Sequence, residues 1–157
     1  MSRAVDVCAR DLLETVPPVM RFIRDQVRQG RAAGLSLPQY RTLNYVRRVK
    51  QPSLTEVAAR LGLSLPAMSR LADSLVGRGL IERRTVATNR RQIALGLTAR
   101  GATTLEAGRA VIRRELAEAL QALPAAELKA IQRALPPLQQ AFGRALPAAG
   151  RRGGPGR

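Results

Sequence analysis

The sequence has no histidine, no tryptophan and a single cysteine, Cys8. With these gaps a His/Cys metal site cannot be assembled, and a Ser-His or Cys-His nucleophile is excluded. No glycine-rich phosphate loop and no carboxylate pair takes their place. The sequence therefore offers no catalytic residue, no metal ligand set and no cofactor site. Aromatic residues are scarce too: Phe22, Tyr40, Tyr45 and Phe142 are all there are. Single-stranded nucleic acid and RNA are usually gripped by stacking bases on aromatic platforms, so that mode is disfavoured. No apolar run approaches the about 20 residues that span a bilayer. The opening stretch, Met1 to Asp6, lacks the apolar core of a secretory signal. A cytoplasmic protein with no membrane partner is expected.

Arginine is what the sequence does have. Its 157 residues carry 27 basic and 11 acidic side chains, a net charge of +16, and only Lys50 and Lys129 are lysines. A chain this basic attracts polyanions, nucleic acid foremost. The charge does not locate a site. Residues 1–52 carry +6 (ten basic, four acidic), residues 53–98 +4 (seven and three) and residues 99–157 +6 (ten and four). The length fits one domain with a real core.

The middle third is the most patterned. Ser53 and Glu56 have the spacing of a capping box, in which each side chain satisfies the other's backbone amide. Leu54, Val57, Ala58 and Leu61 then form one helical stripe, and Gly62 suits a left-handed helix end. Ser64 is placed to cap a second helix, with Pro66 in its first turn. That helix, Leu65 to Arg78, buries Met68, Leu71, Ala72 and Leu75 and turns Ser69, Arg70 and Asp73 elsewhere. A strand opening at Leu80 and Ile81, a polar loop from Thr85 to Gln92 and a strand with Ile93, Leu95 and Leu97 inward make a hairpin. Two short helices around a glycine also occur as plain packing corners. The arginine-bearing hairpin behind them favours a DNA reader.

This ordered series resembles the MarR family of winged helix-turn-helix transcription regulators. The resemblance is carried by Leu37-Pro38-Gln39-Tyr40 with Leu43, Glu56-Val57-Ala58, Leu61-Gly62-Leu63-Ser64, and Ser69-Arg70-Leu71 with Asp73 and Leu75. It continues through Gly79-Leu80-Ile81-Glu82-Arg83, Asn89-Arg90-Arg91, Leu97-Thr98 and Gly101, covering roughly residues 5 to 142. It implies a mainly α fold with a small β-hairpin wing. Residues 1–146 would form one unit, with residues 35–98 reading DNA and residues 5–34 and 99–146 supplying dimerisation helices. Residues 147–157 have no apolar pattern and read as a disordered basic tail.

By the same resemblance the helix from Leu65 is the recognition helix, with Ser64, Pro66, Ala67, Ser69 and Arg70 near bases and phosphates. An arginine fork pairs with guanine, and small residues admit a thymine methyl. Arg84 and Arg90 would meet phosphates, and Arg91 would enter the minor groove. The family usually has an aspartate two residues before that arginine; here it is Asn89, which cannot form the charge-assisted pair. The implied partners are double-stranded DNA with a palindromic operator, a second copy of the chain and a small aromatic or anionic effector. Candidate effector-binding residues are Arg21, Arg24, Tyr40, Arg41 and Tyr45, each with a plainer role in core or surface. The expected function is a dimeric repressor released by a ligand. Two alternatives are a thiol-based redox sensor using Cys8 and a nonspecific architectural DNA-binding protein.

In the flanks, Pro17-Pro18 predicts a kink or break near Glu14 to Thr15, and Pro136-Pro137 a kink in the last helix, because proline removes a donor and clashes one turn back.

Overall fold

A computed structural model describes residues 2–30, 32–86 and 89–145, with the backbone alone at residues 86, 89–92 and 144–145. The expected tail, residues 147–157, lies outside the described residues. Six helices and one hairpin follow in order: α1 Arg3–Arg28, α2 Leu37–Arg48, α3 Leu54–Leu61, α4 Leu65–Gly77, β1 Ile81–Val86, β2 Asn89–Leu97, α5 Ala99–Leu120 and α6 Ala125–Ala145. Among the described residues no helix is long and apolar enough to cross a membrane.

Side-chain caps set the starts of the short helices. Ser53 Oγ accepts from the Glu56 amide at 3.1 Å, and Glu56 Oε2 accepts from the Ser53 amide at 2.6 Å. The capping box read from the sequence is therefore complete. Gly62 ends α3 at φ 70°, a conformation costly to any residue with a Cβ. Ser64 Oγ accepts from the Ala67 amide at 3.3 Å to start α4. Ser36 and Gln39 form a second capping box at α2.

The core sits where these short helices meet the hairpin and α5. Leu43 of α2, Val57 of α3, Met68 and Leu75 of α4, Leu95 of β2 and Leu105 of α5 are all fully buried. The strands pair antiparallel from Ile81 opposite Leu97 to Val86 opposite Asn89, with an irregularity at Thr85/Val86. The hairpin is longer than the sequence suggested, since strand occupies much of the Thr85–Gln92 stretch read as a loop. Its inward set also differs. Ile93 is exposed, whereas Ala94 is buried beside Leu95. The cause is a third short segment: Ser53 bridges Ala94, and the Leu95 amide donates to the Pro52 carbonyl at 2.9 Å. The hairpin is thus fastened to the start of α3.

The break expected at Pro17-Pro18 does not occur. Both α1 and α6 continue through their proline pairs as unbroken helix. Each pair frees two carbonyls one turn back, at Leu13 and Glu14 and at Gln132 and Arg133. All four residues are exposed, so water can take those acceptors.

Candidate nucleic-acid interface

Helix α4 projects from the core with its first turns uncovered. Met68, Ala72 and Leu75 anchor it from below. Ser64, Pro66 and Arg70 are exposed, while Ala67 and Ser69 are half-buried. The structure therefore brings together the five recognition-helix residues named from the sequence. Ser64 has a second duty there, because its oxygen caps α4. The α4 N-terminus also presents backbone N–H groups and the positive end of its dipole, which suits a phosphate.

The arginines around this surface separate into held and free ones. Arg83, on β1, pairs with Asp73 of α4 at 2.7 Å. Arg84, next along the strand, is bound by Glu82, with its Nε donating to Glu82 Oε1 at 2.8 Å. Arg78 donates to Gln39 Oε1 at 2.9 Å. Arg70 has no hydrogen bond or ion pair among the described residues. An exposed guanidinium with all five donors unspent is the group best placed to take an outside acceptor.

The wing residues are described in part. Arg84 lies on the exposed strand and would have to exchange Glu82 for a phosphate. Asn89 opens β2 opposite Val86. The side chains of Asn89, Arg90 and Arg91 lie outside the described residues. The Arg83–Asp73 pair is a brace that sequence reading missed. It ties the base of the wing to α4, independently of the residue at position 89. Exposed pairs of this kind contribute about 1 kcal/mol or less.

The five effector candidates sit on two helices. Arg21 and Arg24 are exposed on α1, Arg41 is exposed on α2, and Tyr40 and Tyr45 are half-buried against the core. Burial, with the Glu56 carboxylate adding to it and Arg60 opposing, raises the Tyr45 phenol above its ordinary 10.0. It stays protonated and neutral at physiological pH. A shallow groove runs along α1 between Arg3 and Thr15, with Cys8 in its wall and none of the five candidates. Cys8 itself is an exposed free thiol. Among the described residues no cluster of acidic, cysteine or histidine side chains could hold a metal.

A short α3, a glycine turn, an exposed α4 and a hairpin braced against it make a winged helix-turn-helix. The sequence profile of the MarR family matches residues 33–92, which span all of these parts. The winged unit is therefore similar to the MarR family. Solved structures resemble the chain well beyond that unit. The RV1404 protein of Mycobacterium tuberculosis is 29% identical, with a TM-score of 0.69 over 91% of this chain and 97% of the other. The MarR family transcription regulator SP03579 is 25% identical, with a TM-score of 0.63 over 90% and 94%. A MepR mutant from S. aureus, solved bound to an oligodeoxyribonucleotide, is 20% identical, with a TM-score of 0.57 over 85% and 97%. The matches support a DNA-binding transcription regulator.

Proposed function

We propose that this MarR-like chain is a cytoplasmic, homodimeric repressor that reads a palindromic operator with α4 and is released by a small effector. One observation carries the dimer. In α6, Ile131, Leu135 and Phe142 lie on one face and are 41%, 48% and 55% exposed. On α1, Val5, Leu13, Val16 and Val19 are exposed as well. Single apolar side chains at a surface are ordinary, but two helices carrying them in rows call for a cover. A second copy is the natural cover, because these helices flank the reader at both ends of the chain.

A two-fold pair would also set two α4 helices about one DNA turn apart, roughly 34–36 Å, to meet two half-sites. The free Arg70 then supplies the base contact and the exposed wing arginines the phosphate contacts. Closing the dimer would bring α1 and α2 near a neighbour, and Arg21, Arg24, Tyr40, Arg41 and Tyr45 would offer charge and rings to an aromatic anion. Arg90 and Arg91 complete the reading as phosphate and minor-groove contacts.

Sedimentation tests the dimer. The wild type is expected near twice its 17.0 kDa chain mass at micromolar concentration. Leu135→Asp puts a charge on the shared face and is expected to give monomers whose winged unit stays folded. Operator affinity is expected to fall with it, since one half-site alone remains. A wild-type protein that sediments as a monomer ends this reading.

A further inference from the structure

We infer that Gln39 and Arg78 form a latch that sets the orientation of α4 on DNA, as positioning residues and not base contacts. The inference rests on α4 being the recognition helix. Gln39 is the third residue of α2. Its Oε1 accepts from the Ser36 amide at 3.0 Å and from Arg78 Nη1 at 2.9 Å. Its Nε2 donates to Ser74 Oγ at 3.3 Å. Arg78 Nη1 also donates to the Gly34 carbonyl at 3.4 Å. One side-chain amide and one guanidinium therefore join the loop after α1, the start of α2 and the last turn of α4. Both acceptor sites of the amide oxygen are used.

The anchorage at the other side of the latch is stiff. Among the described residues of the loop between α1 and α2, positive φ occurs at Gly30 (76°), Ala33 (55°) and Gly34 (69°). Ala33 has a Cβ, so this conformation costs it more than it costs the two glycines. Behind the loop stands α5, whose Gly108 lies so close that a Cβ there would sit 3.0 Å from the Ala32 carbonyl carbon. The loop is gripped between α5 on one side and Arg78 on the other.

Apolar packing beneath Met68, Ala72 and Leu75 sets the depth of α4 but is not directional. Hydrogen bonds at its far end are. Arg70 lies eight residues from Arg78, about 12 Å along the axis at 1.5 Å per residue. A tilt of about 5° at the latch would move Arg70 by roughly 1 Å, enough to spoil a bidentate pair with a base. Phosphate contacts through flexible side chains tolerate such a shift. The latch should therefore govern specificity more than total affinity.

The test uses the full chain and a duplex selected from random sequence by the wild type, alongside a scrambled duplex. Gln39→Leu is expected to bind the selected duplex about tenfold more weakly, with unchanged affinity for the scrambled one. Arg78→Met leaves the α2 capping box in place and is expected to do the same, which separates the latch from any folding defect in Gln39→Leu. Gln39→Glu keeps the acceptor for Arg78 and is expected to recover most of the selectivity. Wild-type selectivity in both Gln39→Leu and Arg78→Met overturns the latch. Equal losses on both duplexes, with the salt slope reduced by about one, overturn it too, because Arg78 would then be a phosphate contact. Arg70→Ala, measured in parallel, guards the underlying reading. If it binds the selected duplex as wild type does, the recognition-helix assignment fails and the latch falls with it.

Discussion

Gly101→Ala is expected to cost this protein about 3 kcal/mol, the upper end of what overpacking does. In a solvent-facing helix the same change would add up to about 1 kcal/mol of stability. The sign reverses here because of where α5 lands. A Cβ on Gly101 would stand 1.9 Å from the Leu80 carbonyl oxygen and 2.8 Å from its carbon. That carbonyl cannot retreat. It accepts from the Thr98 amide at 3.2 Å, and the Leu80 amide donates to the Leu75 carbonyl at 2.9 Å. Thr98 Oγ1, meanwhile, donates to the Gly79 carbonyl at 2.7 Å and caps α5 through the Gly101 amide at 2.9 Å. The end of α4, the first strand and the start of α5 are fastened at this one junction. Thermal unfolding should show a fall of roughly 6–12 °C for a domain of this size. A Gly101→Ala protein as stable as wild type would mean that α5 does not dock on the reader as described.

Arg70→Ala should produce the largest loss of specific binding. Each bidentate contact to a base discriminates by about 1–3 kcal/mol. A loss of about 2 kcal/mol is roughly thirtyfold at one half-site and about a thousandfold when both half-sites lose it. Stability should not change, because Arg70 is exposed and has no partner among the described residues. Arg83 and Arg84 differ in this respect, since each is already paired with a carboxylate. Fluorescence anisotropy on the selected and scrambled duplexes measures the effect. An equal fall on both would reduce Arg70 to a phosphate contact.

Much of the reader was legible because local rules set it. Ser53-x-x-Glu56, Gly62, and Ser64 with Pro66 bounded α3 and α4 to within a residue or two. What escaped was of two kinds. One was a competition between local and solvent effects: the proline pairs threatened α1 and α6, but exposed carbonyls can turn to water and the helices continue. Thr85 and Val86 lie in the stretch read as a loop, yet pairing with β2 holds them in a strand. The other kind was long-range polar contact. Ser36-x-x-Gln39 is a capping-box spacing, visible in the sequence, but nothing local announces that its amide reaches Arg78. Nor does sequence show that Asp73 meets Arg83, or that Gly101 is small because Leu80 needs the space. At the site, Ser64 to Arg70 was named from the motif order, whereas the distinction between held and free arginines needed the fold.

The proposed function requires that this chain bind DNA by sequence and not by charge alone. A net charge of +16 would attract any duplex. The decisive measurement is a competition titration of the wild-type protein between the selected and scrambled duplexes as salt is raised. A reader built on α4 should prefer its selected duplex by about a thousandfold or more and keep that preference while both affinities fall. Two affinities that differ little and vanish together would contradict it and leave a basic protein that coats DNA.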